Sequence, residues 1–178
     1  MNADAATEPA VRAAAIDPAG RADIDAQLFD FVERHRARGR RVLGLLMAPR
    51  DAADGCRAQM WLTDVDNGDT YLVSQALGAG SNGCAADPQG FARASHVLRD
   101  ALHRRPDLVV CDRFGSLEAE NGGFVEELGA LLSAGIPVLT VVATKHQAAW
   151  QRFIGEAPRL PAEPAAWDDW LDGVLAPA

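Results

Sequence analysis

Residues Pro106 to Val142 read PDLVVCDRFGSLEAENGGFVEELGALLSAGIPVLTVV. Two short apolar runs, Leu108–Cys111 and Pro137–Val142, have the length and continuity of strands buried on both faces. Between them, Phe124 to Ala134 carries a helical pattern that stops at Gly135. A strand, a loop, a helix and a second strand make a crossover unit, and such units build parallel sheets covered by helices on both sides.

The same alternation extends outward. Towards the N-terminus, Pro88 opens a helix capped by Asp87, with Phe91, Ala94, Leu98 and Leu102 on its apolar stripe. Before it, Ala58–Thr63 and Thr70–Ser74 form a hairpin around Asn67-Gly68, a strong turn signal. Val42–Met47 is another buried strand. Arg12–Ile16 is the first strand, followed by Asp17-Pro18-Ala19-Gly20 and a helix with Asp23 as its N-cap. Towards the C-terminus, Gln147–Ile154 is helical. The Pro-rich stretch 157–164 reads as a linker to a last helix near Ala165–Leu175. Trp150, Phe153, Trp167 and Trp170 recur at helical spacing as packing residues. The expected fold is α/β: three layers, a mostly parallel sheet with an antiparallel hairpin insertion. Residues 1–11 form a disordered arm and residues 12–178 a single domain.

Composition narrows the function. The 178 residues carry a formal net charge of -8, which argues against nucleic-acid or anionic-membrane partners. No apolar run is long enough to span a bilayer. Cys56, Cys84 and Cys111 are odd in number and lack a C-x-x-C pair, so reduced thiols in the cytoplasm are expected. The four histidines show no metal-ligand spacing.

Four segments fall at the carboxyl ends of strands or carry anion-binding chemistry. In Asp17–Asp23, Gly20 and Arg21 stand where a phosphate loop would sit, but no Lys and no Ser or Thr follow. An ordinary βα loop is the competing reading. Asp112 ends a strand as a magnesium-binding aspartate would, and Arg113, Glu118, Glu120 and Asn121 follow it; a solvated loop with helix-capping residues competes. Ser74, Gln75, Gly78, Gly80, Ser81, Asn82, Gly83 and Cys84 concentrate glycines and neutral donors, the makings of a nest of N–H groups for an oxyanion; a flexible connection competes. Lys145, the chain's only lysine, follows the last clear strand and is the fourth candidate.

The run from Pro106 to Val142 resembles a small P-loop nucleoside-triphosphatase family. In that resemblance Asp112 matches the Walker-B aspartate, Arg113 stands in place of its glutamate, and Glu118 matches a loop glutamate. Ser74–Cys84 and Phe114–Gly123 also resemble two motifs of an uncharacterised bacterial family, one often labelled as molybdenum-transport ATP-binding or NTPase-like. These resemblances imply a P-loop NTPase-like fold, a degenerate Walker A loop and proximity to molybdate metabolism. The expected function is non-hydrolytic binding of a small anion, either molybdate or tungstate or a phosphate-bearing ligand, with a homodimer permitted. Two alternatives are weighed against it. One is a nucleoside-triphosphatase or nucleotide kinase of altered mechanism, with Asp112 organising Mg²⁺ and Glu118 as base. The other is a ligand-free regulatory partner.

Overall fold

The computed structural model describes residues 11–48, 59–76 and 84–177. The expected arm falls almost wholly outside them. The elements in chain order are β1 (Ala13–Ile16), α1 (Ile24–Ala37), β2 (Val42–Met47), β3 (Trp61–Asp64), β4 (Thr70–Leu72), β5 (Ser74–Ala76), β6 (Cys84–Ala86), α2 (Pro88–Arg104), β7 (Leu108–Cys111), α3 (Ser116–Ala119), α4 (Val125–Ser133), β8 (Val138–Val141), α5 (Gln147–Ile154), β9 (Arg159–Leu160) and α6 (Pro164–Leu175). Among the described residues one sheet runs β4-β3-β2-β7-β8-β1-β9, and β5 pairs with β6 in a separate ribbon. From β2 to β9 neighbouring strands are parallel; β3 and β4 form the antiparallel hairpin. This is the mixed α/β architecture expected, compatible with a P-loop NTPase-like fold.

Strands β1, β2, β7 and β8 are buried at every position, because helices cover both faces. On one face Leu28 and Phe31 of α1 and Trp167 and Leu171 of α6 pack on Ile16, Leu46, Val110 and Leu139. On the other, Leu98, Leu128 and Trp150 pack on Leu45, Val109 and Val138. Each buried Leu or Phe contributes roughly 1.5–3 kcal/mol relative to exposure, so the two layers hold the strand ends in fixed relation.

Two expectations are corrected. The stretch 157–164 is not only a linker: Arg159–Leu160 adds a parallel edge strand to β1, through Ala15 N–H to the Pro158 carbonyl (3.0 Å) and Asp17 N–H to the Leu160 carbonyl (2.9 Å). Two residues between prolines leave no periodicity to read. The second expected hairpin strand, Thr70–Ser74, is broken at Val73. There the chain leaves the main sheet for the ribbon, and Val73 accepts from the Asp87 N–H at 2.8 Å.

His35 on α1 is completely buried. Its Nδ1 lies 2.9 Å from an Arg40 N–H donor and its Nε2 lies 2.7 Å from an Asp168 oxygen. Arginine can only donate, so the proton belongs on Nε2 and the ring is neutral. Burial lowers its pKa below the ordinary 6.5, outweighing the pull of Asp168. The unfolded chain therefore takes up this proton first. Stability from His35 is complete above about pH 6.5 and is lost as pH falls below it towards the folded value. Urea midpoints measured from pH 8 to pH 5 are expected to fall across that window, and His35→Gln is expected to flatten the decline. An unchanged slope in the variant excludes His35 as its source.

Candidate functional site

The outgoing chain from β1 turns to α1 on one face of the sheet, and that from β8 turns to α5 on the other. Between such strand ends α/β sheets bind ligands. Here the gap is bridged by Arg159, which donates to the Asp17 carboxylate and to Thr144 Oγ1, the latter at 3.2 Å. Beside it, the ends of β2 and β7, the start of β3 and the first turn of α1 surround a cleft of about 390 Å³. Ile24, Met47 and Met60 give it an apolar side, and Arg21, Asp25 and Arg113 a charged one.

The β1–α1 loop turns tightly: Gly20 has φ +74°, and the Arg21 N–H returns to the Pro18 carbonyl at 2.8 Å. Arg21 grips Asp23 with two contacts, Nε to Oδ1 at 3.1 Å and a terminal nitrogen to Oδ2 at 3.0 Å. It also reaches the Ala162 carbonyl at 3.4 Å. The Arg21 and Gln27 hydrogen bonds lower the Asp23 pKa to about 2. Asp23 stands at the N-cap but makes no side-chain capping bond, unlike the expectation for it.

Asp112 is buried at the end of β7. Its Oδ2 accepts from the Met47 N–H at 3.0 Å, tying the ends of β2 and β7 together. Its Oδ1 lies 3.0 Å from Arg113 Nε, outside hydrogen-bond geometry, so both atoms are buried without a hydrogen-bond partner. Arg113 in turn donates to Asp25 Oδ1 at 2.6 Å. A guanidinium thus lies against Asp112 where a cation would otherwise sit, a poor match to Mg²⁺ coordination. Among the described residues no cluster of three or more His, Cys, Asp or Glu is placed to hold a metal.

Glu118 is also buried, and both its oxygens are engaged by backbone: Gly115 N–H at 3.0 Å and Phe124 N–H at 3.2 Å. Burial raises its pKa despite these bonds. Its geometry is that of a brace closing the 115–124 loop. Ser74 is buried, with Oγ accepting from the Met60 N–H at 2.8 Å, while Gln75 is exposed. Ala76 pairs with Cys84 across the ribbon. Gly78, Gly80, Ser81, Asn82 and Gly83 lie outside the described residues. Lys145 is exposed in the turn Thr144–His146 and does not line the cleft.

The structure therefore gathers Arg21 and Arg113 into one cleft, supported by Asp112, with Ser74 one hydrogen bond behind its wall. Sequence reasoning missed Asp25, Met47 and Met60 as its walls, and Arg159. Asp25 carried a signal, an acidic residue in the first turn after a strand-end loop; the two methionines carried none.

A family model described as "Protein of unknown function (DUF2478)" matches residues 13–170. The chain belongs to the DUF2478 family. A curated relative of this DUF2478 chain is the molybdenum import ATP-binding protein ModC 2 of Bradyrhizobium diazoefficiens. It is 35% identical over 133 residues, which are 75% of this chain. The matched segment is 15% of that relative's length, so the name of the relative describes a much larger protein. Together these likenesses hint at a P-loop NTPase-like relationship. No helix among the described residues is long and apolar enough to cross a membrane.

Proposed function

We propose that this DUF2478 domain is a non-hydrolytic small-anion-binding module on a P-loop-like scaffold with a degenerate Walker A loop. The observation that carries the reading is that two arginines, Arg21 and Arg113, line one cleft at the carboxyl edge of the sheet. Guanidinium forks match oxyanions in shape as well as charge. The molybdenum import for which the relative is named makes molybdate the first dianion to test, with tungstate next. The non-hydrolytic part of the reading is supported by Glu118, whose oxygens both hold backbone amides, and by Arg113 lying against Asp112.

The apolar side of the cleft favours a second version of the same reading. Ile24, Met47 and Met60 give a bare tetrahedral oxyanion nothing to bury, whereas a phosphate ester with an organic body would use them.

Calorimetric titration of the full chain with molybdate, tungstate, phosphate, AMP and Mg·ATP tests both. Saturable heat from a dianion is expected, with no phosphate release from Mg·ATP. Arg113→Lys keeps a positive charge beside Asp112 but loses the fork. It is expected to weaken anion affinity about tenfold or more, the effect of losing a charge-assisted hydrogen bond, with the melting temperature measured alongside to show that the variant is folded. Silence with every anion overturns the reading and leaves the ligand-free regulatory role. Magnesium-dependent phosphate release overturns it in favour of an enzyme.

A further inference from the structure

We infer that Asp23 is a resident competitor for the anion site: its carboxylate fills the Arg21 fork in the resting protein, and a ligand binds by exchanging places with it. The inference rests on the anion-binding reading above and adds how the site is kept closed and opened.

Three observations support it. First, the Arg21–Asp23 contact is two-pronged, at 3.1 and 3.0 Å, the arrangement an oxyanion ligand would make with the same guanidinium. Second, Asp23 occupies the N-cap position of α1 without capping it. Its backbone sits at φ -94°, ψ 4°, and the helix start receives no side-chain hydrogen bond from it. The same chain shows what a capping aspartate looks like: Asp87, at φ -98°, ψ 105°, accepts from the Gln89 N–H at 3.0 Å. A rotation of about a quarter turn in ψ therefore separates the two states of Asp23. Released from Arg21, its carboxylate has a destination in the first-turn amides of α1, which favour an acceptor and a negative charge. Third, the two arginines differ in their partners. Arg21 is paired with an exposed carboxylate, Asp23, whereas Arg113 is held between Asp25 at 2.6 Å and buried Asp112 at 3.0 Å. Arg113 is the fixed wall of the site and Arg21 the arm that changes hands.

With a pKa near 2, Asp23 stays ionised throughout the neutral range, so pH does not switch the exchange. A ligand must instead offer more charge or more hydrogen bonds than one carboxylate. This favours tetrahedral dianions over chloride, nitrate or acetate.

The test compares molybdate and phosphate titrations of the wild type, Asp23→Ser and Glu163→Gln. Serine still caps a helix but is too short to hold Arg21. Glu163 acts on Arg21 through charge alone and controls for simple removal of a negative charge. Asp23→Ser is expected to bind about two- to fivefold tighter, the worth of an exposed ion pair, and Glu163→Gln to change affinity less. Hydrogen exchange at the amides of Asp25 and Ala26 is expected to slow when ligand is added to the wild type. Wild-type binding with no tightening in Asp23→Ser, or equal tightening in Glu163→Gln, overturns the exchange and leaves the anion reading standing. Silence in all three proteins overturns the anion reading itself. Binding by Asp23→Ser alone supports both.

Discussion

Gly44→Ala is expected to destabilise the protein by more than about 3 kcal/mol, enough to unfold a domain of ordinary stability. Gly44 lies in the middle of β2, paired with Val110 of β7. Its φ of +126° is reserved for glycine, and a Cβ there would fall 1.9 Å from the Val110 carbonyl oxygen. The obstacle is strand backbone, so no side chain can rotate away. Moving β2 instead would pull the Gly44 carbonyl from the Val65 N–H it binds at 3.1 Å. These are also the two strands whose ends carry Met47 and Asp112, so any surviving fold would lose the cleft. Urea denaturation checks the magnitude, and a loss under about 1 kcal/mol would mean that the strands separate more easily than their packing implies.

Glu118→Ala is the second large effect, expected at about 2–4 kcal/mol. Removing the carboxylate strands the Gly115 and Phe124 amides, and the latter sits on a fully buried residue. Gly123 belongs to the same device. It has φ +57°, and a Cβ on it would lie 2.0 Å from Glu118 Oε1. Gly123→Ala is therefore expected to expel the Glu118 side chain, and the double variant to be scarcely worse than either single one. Strictly additive losses would show that the two residues act separately. A Glu118→Ala protein of wild-type stability would return Glu118 to the list of chemically active groups.

Much of this architecture was legible in the sequence because each element obeyed its own local rule. Leu108–Cys111 reads as a doubly buried strand and is one. Asn67-Gly68 reads as a turn, and Gly68 takes φ +80° there. Asp87 reads as a cap and caps. What escaped depends on partners distant in sequence. β9 exists because β1 has an open side, which two residues between prolines do not advertise. Asp23 carries the same cap signal as Asp87, yet Arg21, two residues before it, captures the carboxylate. The cleft was half legible: Gly20–Arg21 and Asp112–Arg113 follow from strand ends, whereas Met60 and Asp25 enter only when the hairpin and α1 fold over them.

The two outer strands, β4 of three residues and β9 of two, have a consequence for solution behaviour. A sheet grows by recruiting foreign backbone along its margins, and long, flat margins invite it. Here one margin ends at Val73, where the chain swerves into its ribbon, and the other ends against prolines that offer no N–H. Among the described residues, a main sheet so finished offers little template for fibrous self-association, even though its inner strands are among the most apolar segments of the chain.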